Sequence, residues 1–212
     1  MTQERRGKIR AVLDRRQPDL TVFLENVHKP HNLSAILRSC DAVGVLEAHC
    51  VSFGTRPRAF SDTSAGSEKW VPLHQYETTR GALETLKAQG FQIAAAHLSD
   101  EAIDYRELDY TRPTAILLGA EKFGVTDGAA LLVDKHVIIP MHGMVQSLNV
   151  SVAAAVILFE AQRQRLEAGF YAQPRLTPET YARLEYEWLH PREAEHFRER
   201  GEAYPTLEAY VG

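Results

Sequence analysis

Three short segments of the 212-residue chain concentrate the side chains able to do chemistry. The first, Glu25–Gly44 (ENVHKPHNLSAILRSCDAVG), sets His28 three residues before His31, with Asn32 and Arg38 following. Two imidazoles at that spacing invite a metal ion, but Pro30 lies between them and no third ligand stands nearby, so no metal site is expected. Arg38 falls between the apolar stripe Leu33/Ile36/Leu37/Cys40 and the polar face. That position suits a snorkelling surface arginine or an anion contact at the mouth of a sheet. The second segment, Leu117–Thr126 (LLGAEKFGVT), has a glycine directly after an apolar run and another five positions on. Val125 stands where a phosphate-binding loop needs its lysine, which excludes that loop. A tight turn or a ligand seat at a strand C-terminus remains. In the third, Val137–Ala155 (VIIPMHGMVQSLNVSVAAA), the polar cluster Gln146, Ser147, Asn149 and Ser151 precedes a helix of small residues. Ser147 reads as its N-cap. Neither a G-x-S-x-G elbow nor a histidine–acid pair marks it as a nucleophile.

These groups need elements to hold them, and the apolar periodicity supplies an alternation of strands and helices. Ile9, Val12 and Leu13 give a short amphipathic helix that Pro18 ends. Strands are expected at Leu20–Leu24, Ala48–Phe53, Phe91–Ala96, Thr114–Leu118 and Val137–Ile139. Helices are expected from Asn32 as N-cap to Gly44, over Thr79–Gln89, Asp127–Val133 and Asn149–Leu166. Gly54–Lys69 reads as a loop. Strands separated by helices imply βαβ units and a parallel α/β sheet.

Composition narrows the class. With 44% apolar and 25% charged residues the chain is globular rather than disordered. No apolar run spans a bilayer, no secretory signal is legible, and two cysteines, Cys40 and Cys50, point to a reducing cytoplasm. The net charge of −4 conceals an uneven distribution. Residues 1–16 carry six basic side chains (Arg5, Arg6, Lys8, Arg10, Arg15, Arg16) against two acidic ones, whereas Thr177–Gly212 holds eight glutamates against four arginines. A basic arm on an acidic body contacts polyanions, or is simply a solvated helix face. The Val150–Ala161 stretch is apolar all round, which suits a helix buried in one subunit or between two.

Asn32–Gly44 (NLSAILRSCDAVG), Leu118–Gly124 (LGAEKFG) and Ile139–Ala153 (IPMHGMVQSLNVSVA) resemble, in order, the three motifs of the SpoU/TrmH family of SPOUT methyltransferases. The similarity runs from the basic arm to about Arg175. It implies a parallel α/β fold with a deep C-terminal trefoil knot, divided as a basic helical arm (1–18), a methyltransferase domain (19–169) and a C-terminal helical extension (170–212). It also implies S-adenosyl-L-methionine as cofactor, a homodimer, and 2′-O-methylation of guanosine 18 in the D-loop of tRNA. The motifs supply Asn32, Arg38, Glu121, Ser147 and Asn149 as catalytic residues. The implied cofactor wall is Ala96, His97 and Leu98, then Gly119, Ala120, Glu121, Lys122 and Phe123, then Ile139, Pro140, Met141, Leu148 and Asn149. RNA contacts are expected from the arm, His31, Arg163 and Arg165. Two departures stand out: Phe123 occupies a position where tryptophan is frequent, and the acidic tail beyond Leu189 is longer than the family core needs.

The chemistry this implies is demanding, because a ribose hydroxyl is a poor nucleophile near neutral pH. It must be aligned with the methyl donor and its proton accepted or shared as attack proceeds. The family picture makes Arg38 the proton acceptor; a guanidinium with a pKa above ~12 instead suits holding a phosphate and stabilising the developing alkoxide. Two other readings compete: the same chemistry on ribosomal RNA, and a non-catalytic RNA-binding relative. Ribosomal relatives usually carry a separate N-terminal domain, whereas the first strand here starts near Leu20, which favours tRNA.

Overall fold

The computed structural model describes residues 2–51 and 69–205. The expected loop at 54–69 falls outside them apart from Lys69, as does the end of the strand expected to reach Phe53. The chain forms two compact units: Gln17–Gly169, and residues up to Arg16 together with those from Phe170 onward.

The larger unit is built on a parallel sheet of seven strands. In chain order they are β1 Leu20–Glu25, β2 Ala48–Val51, β3 Leu73–Tyr76, β4 Gln92–Ala96, β5 Ile103–Asp104, β6 Thr114–Leu118 and β7 Lys135–Ile138. Their order across the sheet is β3-β2-β1-β6-β4-β7-β5. The central strands β1 and β6 are buried along their whole length, as near-continuous apolar runs in a parallel sheet must be. Leu20, Val22 and Leu24 of β1 join the core shared with helices α2 (Pro30–Ala42) and α5 (Val150–Glu167), while Phe23 joins the core of α3 (Thr79–Ala88) and α4 (Asp127–Ala130). Period-two alternation therefore feeds a core on each face of the sheet. The expected parallel α/β architecture is what the chain adopts.

Local differences have local causes. Helix α2 begins at Pro30, whose fixed φ suits a first helical position, with Lys29 rather than Asn32 at the N-cap. Asn32, released from capping, is buried in the first turn with its side chain turned elsewhere. Helix α5 is capped by Asn149, not Ser147, through a bond from Ser151 N to Asn149 Oδ1 of 2.8 Å. Strands β3 and β5 went unread because LHQY lacks alternation and a two-residue strand has no period.

Arg165 of α5 is wholly buried. It donates to the carbonyls of Tyr110, Asp19 and Arg112, to Gln17 Oε1, and to Asp19 Oδ1 at 2.6 Å. A planar guanidinium can satisfy that many acceptors around one point, which a lysine cannot. The expectation that Arg165 contacts RNA is overturned by this burial.

The smaller unit packs α1 (Gln3–Leu13) with α6 (Pro178–Leu189) and α7 (Pro191–Arg200). Glu185 on α6 is buried and accepts bonds from Arg6 Nε at 3.1 Å and Arg10 Nε at 2.6 Å. A buried carboxylate requires such partners. Arg16 is buried as well, its guanidinium 5.2 Å from the Trp188 ring centroid. Much of the arm's positive charge is thus spent inside this unit, which corrects the reading of Arg16 as an RNA contact. Arg5, Lys8 and Arg15 stay exposed.

Candidate active site and cofactor cavity

The C-terminal ends of β1, β6, β4 and β7 feed the loops that carry all three polar segments, as expected where ligands seat in open α/β sheets. Glu25 closes β1 and is buried, accepting from Thr126 N (2.9 Å), Thr126 Oγ1 (2.9 Å) and Thr79 Oγ1 (2.9 Å). It ties the loop after β6 to the end of β1. Within that loop Gly124 N donates to Ala120 O at 2.7 Å, and Gly124 has φ +68°. A Cβ on Gly119 would lie 2.0 Å from the carbonyl carbon of Gly124, so only glycine permits the loop to fold back. Sequence reasoning passed over Glu25 because an acid ending an apolar strand looks like a solvent-facing terminus.

The residues expected to act together are brought together in part. Asn149 Nδ2 donates to Asn32 Oδ1 at 3.2 Å and to Glu121 Oε1 at 3.0 Å. Its Oδ1 accepts from Ser151 N and from Ser151 Oγ at 2.6 Å, so every polar hydrogen and acceptor of the amide points one way. Lys29 forms an ion pair with the other oxygen of Glu121. The Glu121 carboxyl is held below the usual carboxylate range, first by its hydrogen bond with Lys29 and further by Lys29's charge, Asn149 and nearby His31. Lys29 was not among the expected site residues; its only sequence signal was a place beside Pro30.

Around this cluster lies a cavity of about 670 Å³, lined by Asn26 to Lys29, Asn32, Ala120 to Gly124 and Thr126. A second, of about 470 Å³, is walled by Ala96, His97, Leu98, Ile139, Pro140, Met141, Ser147, Leu148 and Ile157 among others. The expected cofactor wall therefore divides. Its first stretch and Ile139, Pro140, Met141 and Leu148 of its third line the second cavity, whereas Ala120, Glu121, Lys122 and Phe123 line the first; Gly119 and Asn149 line neither. Leu148 on the wall of the second cavity directly precedes Asn149, whose amide bonds Asn32 and Glu121 on the wall of the first. Ser147 is exposed at the rim of the second cavity. Arg38 is exposed on α2 and bonds to no described residue. Seven residues after His31, it shares that histidine's exposed helix face.

The second cavity combines apolar and polar lining, a mix that suits a nucleoside-sized ligand. Leu98, Ile139, Leu148 and Ile157 offer apolar walls, while Gln146 and Ser147 offer polar groups at one side. Among the described residues no group of three or more His, Cys, Asp or Glu is placed to hold a metal ion.

Comparison with known proteins identifies the class. The SpoU rRNA methylase family matches residues 19–159, and the family of SpoU rRNA methylase C-terminal segments matches 163–210. The chain belongs to the SpoU methylase family. The second match covers the acidic tail, so that tail is a family feature rather than an addition. The chain is 61% identical over 188 residues to a tRNA (guanosine(18)-2′-O)-methyltransferase of Thermus thermophilus, covering 89% of this chain and 97% of that one. The crystal structure of the Aquifex aeolicus TrmH/SpoU tRNA-modifying enzyme superposes with a TM-score of 0.83 at 43% identity, over 89% of this chain and 96% of that one. An AdoMet-bound rRNA methyltransferase from Sinorhizobium meliloti superposes with a TM-score of 0.63 at 30% identity, over 70% of this chain and 61% of that one.

Proposed function

We propose that the protein is a tRNA 2′-O-methyltransferase that modifies the ribose of guanosine 18, with S-adenosylmethionine as methyl donor. The observation that carries the reading is the meeting of Asn32, Glu121 and Asn149, one residue from each polar segment, with Asn149 next in the chain to Leu148 on the wall of the second cavity, which we assign to the donor. The similarity to the Thermus tRNA enzyme over 97% of its length selects tRNA over ribosomal RNA. Bound S-adenosylmethionine supplies an electrophilic methyl group. The chain's own residues do the rest. Asn149, locked in orientation by its three partners, ties the chain at Leu148 on the donor cavity to Asn32 and Glu121 on the other cavity. Arg38, always protonated and unpaired among the described residues, holds an RNA phosphate and stabilises charge growing on the ribose oxygen. Arg5, Lys8, Arg15 and His31 add phosphate contacts. Arg163, paired to Glu160 and Glu167, keeps exposed edges for the same purpose.

The reading extends to assembly. Val152, Phe159 and Leu166, spaced seven apart on α5, are 47%, 50% and 54% exposed. So apolar a stripe on a long helix supports a homodimer formed through α5. Family membership supports the trefoil knot and the division into arm, methyltransferase domain and extension. No described helix is long and apolar enough to cross a membrane, and a tRNA substrate supports a cytoplasmic location. Unmodified tRNA carrying 2′-deoxyguanosine at position 18 tests the reaction. It should bind and accept no methyl group, whereas undiminished transfer would place the modification elsewhere.

A further inference from the structure

Among the described residues, Lys29 is the one cation paired with the carboxylate of Glu121. It stands at the N-cap of α2, its side chain 58% exposed, and lines the larger cavity. As N-cap it makes no side-chain capping bond, so its contact with Glu121 is not a by-product of helix termination. Glu121 has only two oxygens: one faces Lys29, the other accepts from Asn149 Nδ2. Asn149 in turn spends its second amide hydrogen on Asn32 and its oxygen on Ser151. Resting on the reading above, we propose that Lys29 is a positioning residue for methyl transfer, acting through Glu121 to fix the side chain of Asn149.

A carboxylate with one oxygen free rotates about its last torsion and draws in water, so its bond to the Asn149 amide becomes one of several. With the ammonium on one oxygen, the other keeps a single direction, and charge assistance strengthens the bond it accepts. The same ammonium cancels a negative charge that otherwise repels an incoming phosphodiester. Lys29 therefore lets an acid sit in an RNA site.

Three readouts decide it. Lys29→Met should lower kcat about tenfold while changing the KM for S-adenosylmethionine less than about twofold, and Lys29→Arg should restore most of the loss. In a Glu121→Gln background the lysine substitution should cost little more, since the path runs through that carboxylate. Independently of activity, carboxyl carbon NMR should show the Glu121 titration moving up in Lys29→Met, toward the ordinary glutamate value. Lys29→Gln repeats all three readouts should the methionine variant unfold. Near-normal kcat, full additivity with Glu121→Gln, or an unmoved Glu121 titration each overturns the proposal. Wild-type protein inactive on tRNA counts against the function proposed above, and the NMR titration then decides the role of Lys29 alone.

Discussion

Asn149 reaches across 117 residues of sequence to bond Asn32, Nδ2 to Oδ1 at 3.2 Å. The contact joins the start of α5 to the first turn of α2, the two helices that share one face of the sheet. Neither amide is where a sequence reading puts it: Asn32 is not a cap, and Asn149 is. The site exists because two helix starts converge.

Arg38 is exposed and without partners among the described residues, so its removal costs the fold little. Arg38→Ala should lower kcat by at least about a hundredfold if its charge stabilises the developing alkoxide. Affinity for S-adenosylmethionine by calorimetry should stay within a factor of two or so, as an electrostatic effect confined to the reacting oxygen requires. A variant with near-normal turnover removes Arg38 from the mechanism.

Arg165 is a fold residue. Arg165→Met removes a buried donor from Asp19 and from the carbonyls of Tyr110 and Arg112, and should destabilise the protein by about 3–5 kcal/mol. Denaturant unfolding measures it. The salt dependence of tRNA binding should be unchanged; full stability with a lowered salt slope would return Arg165 to the RNA surface.

Lys8 is the exposed basic residue of α1 with no described partner. Lys8→Ala should reduce the slope of log affinity for tRNA against log salt by about one unit or less and leave cofactor affinity alone. Deleting residues 1–16 is a poorer test, because it also strips Arg6 and Arg10 from buried Glu185. An unchanged slope shows that Lys8 meets no phosphate.

His49 gives a pH dependence. Burial in β2 pushes its imidazole down to about 4 from 6.5, with Glu47 opposing and His74 assisting. Between those values the unfolded chain binds the proton and the fold does not, so stability falls as pH drops through that window. From pH 7 to pH 4.5 the contribution is about 2 kcal/mol. Urea unfolding of wild type and His49→Gln at both pH values should show the variant losing less; equal losses contradict the assignment.

Much of the fold was legible because apolar period and composition announce it: LTVFL and TAILL read as buried parallel strands, and Leu33, Ile36, Leu37 and Cys40 all lie in the core. Residue types in the three segments named the site. Partners of long sequence separation were hidden. Arg165 and Arg163 look alike in EAQRQRL, yet two residues on a helix turn one inward and one outward. The arm's arginines looked free because Glu185 lies 175 residues from Arg10. The division of the expected cofactor wall between two cavities depends on how three loops meet, which no single segment encodes.

The protein's reaction is methyl transfer to one ribose. Incubating the protein with labelled S-adenosylmethionine, unmodified tRNA and, separately, ribosomal RNA, then mapping the labelled nucleoside, tests it most directly. Label should appear as 2′-O-methylguanosine at position 18 of tRNA. Label in ribosomal RNA with none in tRNA, or a methyl group on a base, would contradict it.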